Sequence, residues 1–220
     1  MLFKILTKEH YEDLIDIILE SNEIDASARQ VARLSQGHIG RAKWLANNPE
    51  AVTRRLEAVR LALGLRDVGG AMAGAATLVE WATEQAQAQA LGRDEREEAD
   101  LSAALGVGGT GRGAPSGSAK ALKELEKEQK SRATRMVRDS IDGALLDLVT
   151  FYRDVMVVQS GATESMINSD MREQVEGYAA NSPSHSIIKK VNAIMEARVN
   201  LSHNAAPLLT VEALMCVLAR

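Results

Sequence analysis

Aromatic residues make up only 3% of this 220-residue chain, and it holds four prolines, four histidines and one cysteine. Sheets draw on aromatic and β-branched runs, so their scarcity beside many alanines favours helices, and no two segments read as a strand pair. The single Cys216 excludes an intrachain disulfide and a cysteine-rich zinc site. Set among Met215, Val217 and Leu218, it reads as a small buried hydrophobe rather than a reactive thiol. His10, His38, His185 and His203 are scattered without metal-ligand spacing, so no metal site and no cofactor is expected.

Long apolar runs are also missing. None approaches the ~20 residues of a membrane span. The opening Met1-Leu2-Phe3-Lys4-Ile5-Leu6 is too short and too soon charged for a signal peptide, so a cytoplasmic location is expected. A formal net charge of −4 argues against a protein that grips nucleic acid by a general basic surface; any such contact has to be local or shared with partners. Catalytic constellations are absent as well: the serines lack a Gly-x-Ser-x-Gly elbow, and the acidic pairs lie on solvated helical faces. Gly106, Gly108 and Gly111 carry the spacing of a dinucleotide fingerprint, yet no strand precedes them and no Gly-Lys-Ser/Thr follows, so the interval reads as a flexible connection.

What is present is helical periodicity. With 45% apolar residues the chain is long enough to bury a real core. Tyr11, Leu14, Ile15, Ile18 and Leu19 predict a helix over 8–20 with Thr7 as N-cap, followed by short helices starting near Ala26 and His38. Pro49 opens another, with Val52, Leu56, Val59 and Leu63 on one face, and Gly64, Gly69 and Gly70 break the pattern. Helix resumes around Thr77–Trp81 and is expected to fray before the charged segment 93–100, where a disordered insert 93–118 begins. A long helix then runs from Ala119 toward Gln159: its first half mixes both signs of charge, and its second half buries Leu145, Leu148, Val149, Tyr152, Val155 and Met156. Lys130, Arg132, Arg135 and Arg138 read as a solvated face without aromatic neighbours rather than a nucleic-acid site. Two closing helices complete the chain, one striped by Ile187, Val191, Ile194 and Met195 and stopping by Asn204, the other, Leu208 to Ala219, apolar almost all round.

The segment Ser35-Gln36-Gly37-His38-Ile39-Gly40-Arg41-Ala42 joins a helix stop to a helix start with a cation beside it. Gly37 suits a left-handed helix end, and the opening turn of the next helix offers unpaired N–H groups and a positive dipole end next to Arg41. Two readings stand: a phosphate-facing elbow, or a helical hairpin in which Gly37 is a C-cap and Arg41 is solvated.

This elbow resembles the second sensor segment in the lid of AAA+ ATPase subunits, and its wording is similar to clamp-loader subunits of the delta prime type from bacterial DNA polymerase III, as found in actinobacteria. A second block, Phe151-Tyr152-Arg153-Asp154, Ile167-Asn168-Ser169-Asp170, Ala197-Arg198-Val199-Asn200-Leu201 and Asn204 through Leu214, resembles the C-terminal collar of the same family. The resemblance implies an all-α protein with a small three-helix, lid-like unit at 1–48 and a collar-like helical bundle at 49–220. It implies a non-catalytic assembly role in a ring with gamma/tau and delta subunits, acting on the sliding clamp and primed DNA through them. The ATPase module of that family, with its phosphate loop, arginine finger and cysteine zinc site, has no counterpart in these residues, and the chain is expected to be a truncated or separately encoded C-terminal portion. In nucleotide-hydrolysing relatives the sensor arginine occupies the slot held here by Gly40, so Arg41 lies one residue, about 100° of helix, away from it. Two further functions remain open: a regulator that senses a partner's ATP through the Gly37–Arg41 elbow, and an unrelated helical adaptor.

Overall fold

In the computed structural model, residues 28–35, 39–106, 117–162 and 166–220 are described. They form α1 (Ala28–Ser35), α2 (Ile39–Asn47), α3 (Pro49–Gly64), α4 (Val68–Ala104), α5 (Ser118–Gln159), α6 (Arg172–Asn181), α7 (Ser184–Ser202) and α8 (Pro207–Leu218), with a 3-10 turn at Ser169–Met171. No strand occurs among the described residues, as the composition predicts. The expected helix over 8–20 and Gly37 lie outside the described residues.

Helix boundaries follow local chemistry. Pro49 and Pro207 each open a helix at its first residue, where a missing N–H costs nothing. Asp67 caps α4 by accepting from the Gly70 N–H at 2.7 Å. α5 and α7 end at residues in the left-handed region, Gly161 (φ 81) and Asn204 (φ 64). Beyond each, the chain turns back onto the helix, with Ala162 N–H donating to Val157 O at 3.1 Å and Ala205 N–H to Asn200 O at 3.0 Å.

The chain divides into two compact units, the first drawn from Met1–Gly64 and Leu146–Met195, the second from Leu65–Leu145 and Glu196–Arg220. α5 and α7 therefore contribute to both. In the first unit, Val31, Ala32 and Leu34 of α1 pack with Ala42, Leu45 and Ala46 of α2 and Ala51 of α3, with Ile167 against them. The buried face of α3 is Ala51, Arg55, Ala58, Val59 and Ala62. The expected stripe of Val52, Leu56, Val59 and Leu63 is thus turned by about one residue, because the close-packed side is the alanine side and Val52, Leu56 and Leu63 are only half-buried. Phe151, Tyr152 and Tyr178 meet edge to face with ring centres 5.5 to 5.8 Å apart, gathering three of the seven aromatic side chains.

In the second unit α8 packs along α4. The buried stripe of α4 is almost entirely small, Ala71, Gly74, Ala75, Leu78, Ala82, Ala86 and Ala90, which lets neighbouring helices approach closely. Val211, Leu214, Met215 and Leu218 are the buried side of α8. α4 and the first half of α5 form an antiparallel hairpin. Gln85 accepts from Ser140 at 2.7 Å, and further along α4 Glu97 accepts from Arg132 at 2.9 Å.

This hairpin corrects the expectation for 93–118 over its first part. α4 continues as helix through 93–104 instead of fraying. The reason lies on the other arm of the hairpin: Arg132 pairs with Asp94 and Glu97, and Gln129 donates to the Asp94 carbonyl at 3.1 Å. α6 and the 3-10 turn also lie where no helix was expected, and Cys216 is half-buried.

Candidate functional site

Arg55 lies in the alanine stripe of α3 and is 2% exposed, so its guanidinium has to find partners inside the protein. It donates to Asp170 at 3.0 Å and to the amide oxygen of Asn168, and its Nε lies 3.9 Å from Asp147. Asp147, on α5, also takes the guanidinium of Arg41 from α2. Burial pushes the Asp147 carboxyl up from its ordinary value, while the charges of Arg41 and Arg55 and the Arg41 hydrogen bond pull it down.

Asn168 joins this cluster to a second carboxylate. Asp154, fully buried two turns further along α5, accepts from the Asn168 N–H at 2.6 Å, the Asn168 side-chain amide at 2.7 Å and the Ile167 N–H at 3.0 Å. Arg153 adds a charge-assisted bond at 2.7 Å. The result is a buried hub, Arg41–Asp147–Arg55–Asn168–Asp154, that ties α2, α3, α5 and the 166–171 segment of the first unit together. Its carboxylates are occupied by donors from this chain, so the arrangement is built to hold backbone in place rather than to move protons.

The structure brings together residues that the sequence places far apart. Phe151–Asp154 and Ile167–Asp170, the first two segments of the collar-like block, meet through Asp154 and Asn168. Arg198, from the third segment, lies in the second unit and grips Asp142 with two bonds, Nε to Oδ1 at 2.7 Å and a terminal nitrogen to Oδ2 at 2.9 Å. The Asp142 hydrogen bond raises the Arg198 pKa. Arg41, the sensor candidate, is mostly buried and engaged with Asp147.

Arg55 carries no motif and escaped the sequence reading. The available signal was an arginine spaced with Ala51, Ala58 and Ala62 on one helical side, a charge where apolar packing needs none. Among the described residues no group of three or more His, Cys, Asp or Glu is placed to hold a metal ion, and no helix is long and apolar enough to cross a membrane.

The buried tie between the Phe151–Asp154 and Ile167–Asp170 segments falls inside the region with a recognisable relative. Residues 133–215 match the family model of the C-terminal part of the delta subunit of DNA polymerase III. The match covers less than half of the chain and supports a clamp-loader component. It takes in most of α5 and α8 and all of α6 and α7, including Asp147, Asp154, Asn168, Asp170 and Arg198. No curated protein and no solved structure matches the chain.

Proposed function

We propose that this chain is a non-catalytic assembly subunit of the bacterial DNA polymerase III clamp loader, of the delta prime type, which helps load the sliding clamp onto primed DNA. The single observation that carries this reading is the match of residues 133–215 to the C-terminal family of the delta subunit. The hub supports it, since a collar that holds its place in a ring needs a fixed internal frame. The division into a lid-like part at 1–48 and a collar-like part at 49–220 belongs to the same proposal, as do gamma/tau and delta as partners and a cytoplasmic location.

The outward side of α8 supplies the docking surface in this proposal. Opposite its buried side, Leu209 is 66% exposed and Val217 38% exposed, with Ala213 and Cys216 between them and Glu212 as the one charge. Such a face is costly in water and suits a helix from another protein of the ring. Co-expression with gamma/tau and delta, followed by size-exclusion chromatography, tests the reading: the chain co-elutes with them, and Leu209→Asp abolishes co-elution without changing its melting temperature.

A second reading rests on Arg41, placed in the first turn of α2 beside the dipole end of that helix. In it, a phosphate held by a neighbouring protein of the ring competes with Asp147 for the guanidinium. Nucleotide titration of the reconstituted ring, comparing the native chain with Arg41→Gln, separates this from a purely assembling role.

A further inference from the structure

The α4–α5 hairpin carries a basic face that the assembly reading does not use. Over 120–130 α5 holds four lysines and three glutamates, Glu124, Glu126 and Glu128, a net charge of +1 in a chain whose total is −4, with the lysines gathered on one side. Lys120, Lys123, Lys127 and Lys130 fall at successive turns and, at about 100° per residue, lie within about 80° of one another. All four are exposed. Gln129 and Arg132, which bond to α4, and the half-buried Leu122 and Leu125 occupy the other side of the helix.

Arg132 is consumed by Asp94 and Glu97, so the exposed cations of 118–138 are the four lysines and Arg135. Of these, Lys130 forms an exposed pair with Glu126 one turn away, a weak contact that another anion can replace. The stripe also acts on that carboxyl: the Lys130 hydrogen bond and charge, with the Lys123 charge, hold Glu126 below its ordinary value.

We propose that this face of α5, from Lys120 to Lys130, is a contact surface for the phosphodiester backbone of duplex DNA. Four exposed ammonium groups spread over about 15 Å of helix suit the backbone of a duplex, which carries one negative charge per ~1.7 Å of its axis. Two competing occupants fit less well. Protein interfaces centre on apolar and aromatic side chains, and no such residue stands among the four lysines on their face. Single strands stack their bases on aromatic rings, and 118–138 contains none. Contacts of this kind position a duplex without reading its sequence.

The proposal stands apart from the clamp-loader reading, because the four lysines lie outside the matched region 133–215. Failure of the chain to join other subunits leaves it intact, and failure of DNA binding leaves the assembly reading intact. The test is fluorescence anisotropy of the full chain with a labelled duplex of about 20 base pairs, at salt from about 50 to 200 mM, where backbone contacts respond most steeply. The quadruple variant K120Q/K123Q/K127Q/K130Q keeps helix propensity and, on an exposed face, should leave melting unchanged. The expected result is that the native chain binds, that the variant loses at least fivefold in affinity at the lowest salt, and that its log–log salt slope flattens by about 3 to 4. Absence of binding by the native chain at the lowest salt, or a loss smaller than fivefold in the variant, overturns the proposal. Equal affinity of the native chain for poly-glutamate also overturns it, by assigning the stripe to an acidic protein.

Discussion

Asp154 and Asn168 are bound to each other twice, through the backbone N–H of Asn168 at 2.6 Å and its side-chain amide at 2.7 Å, and both residues are completely buried. The carboxylate thereby fixes the chain just before the 3-10 turn, and the oxygen of the same Asn168 amide receives Arg55. Replacing Asp154 by Ala strands two buried donors of Asn168 and the part-buried N–H of Ile167, a loss on the order of 3 kcal/mol. Asp154→Asn, which keeps the shape but turns part of the acceptor into a donor, should cost nearly as much. Urea unfolding of both variants checks this; a cost below about 1 kcal/mol for Asp154→Ala would mean that the hub does not hold the segment.

Arg55 and Asp170 form the other arm of the hub, at 3.0 Å. Arg55 is buried while Asp170 reaches solvent, so Arg55→Met leaves the buried Asn168 amide oxygen without its donor and Asp147 with Arg41 alone, and should destabilise by about 1 to 3 kcal/mol. The double variant Arg55→Met/Asp170→Asn should cost less than the sum of the two single changes. Additive costs in a double-mutant cycle would show that the two groups do not interact.

Hydrogen exchange distinguishes helix from disorder over 93–104. Amides there should exchange measurably slower than an unstructured chain, and Arg132→Ala should speed them by removing the partner of Asp94 and Glu97. Free exchange in the native chain would favour a disordered insert beginning at 93.

The same contacts give a pH dependence with a definite sign. The Arg132 hydrogen bond, with help from Gln129 and the charges of Arg132 and Arg93, lowers the Glu97 pKa from 4.5. A depressed carboxylate adds stability above its unfolded value and loses it as the pH falls through the folded value. The hairpin should therefore be indifferent to pH from about 8 to 5 and loosen only below about 4.5, as followed by exchange rates at 93–104. Loosening that begins near neutrality would point to a different group.

Much of the fold was legible because helices advertise themselves by period. Pro49 opens a helix where expected, the chain breaks after Gly64, Asn204 ends α7, and the last helix begins at Pro207, one residue before the expected Leu208. Three features were not legible, each for a physical reason. The helix over 93–104 has no apolar stripe of its own and is held by Gln129 and Arg132 more than 30 residues away. α6 buries only Val175, too little to leave a periodic trace. The hub was half visible: Asp154 and Asn168 stand in the segments that carry the resemblance, but their partner Arg55 is more than 100 residues distant from Asn168 in sequence and has no motif. α8 divides between the two expectations, with Leu214 and Met215 buried as core and Leu209 left facing solvent.

Assembly of this chain with clamp-loader proteins is measured most directly by co-elution with purified gamma/tau and delta. A stable complex on size-exclusion chromatography is predicted, lost on Leu209→Asp while the variant chain keeps its helicity and melting temperature. A folded native chain that elutes alone at micromolar concentrations of all components would contradict the assembly role.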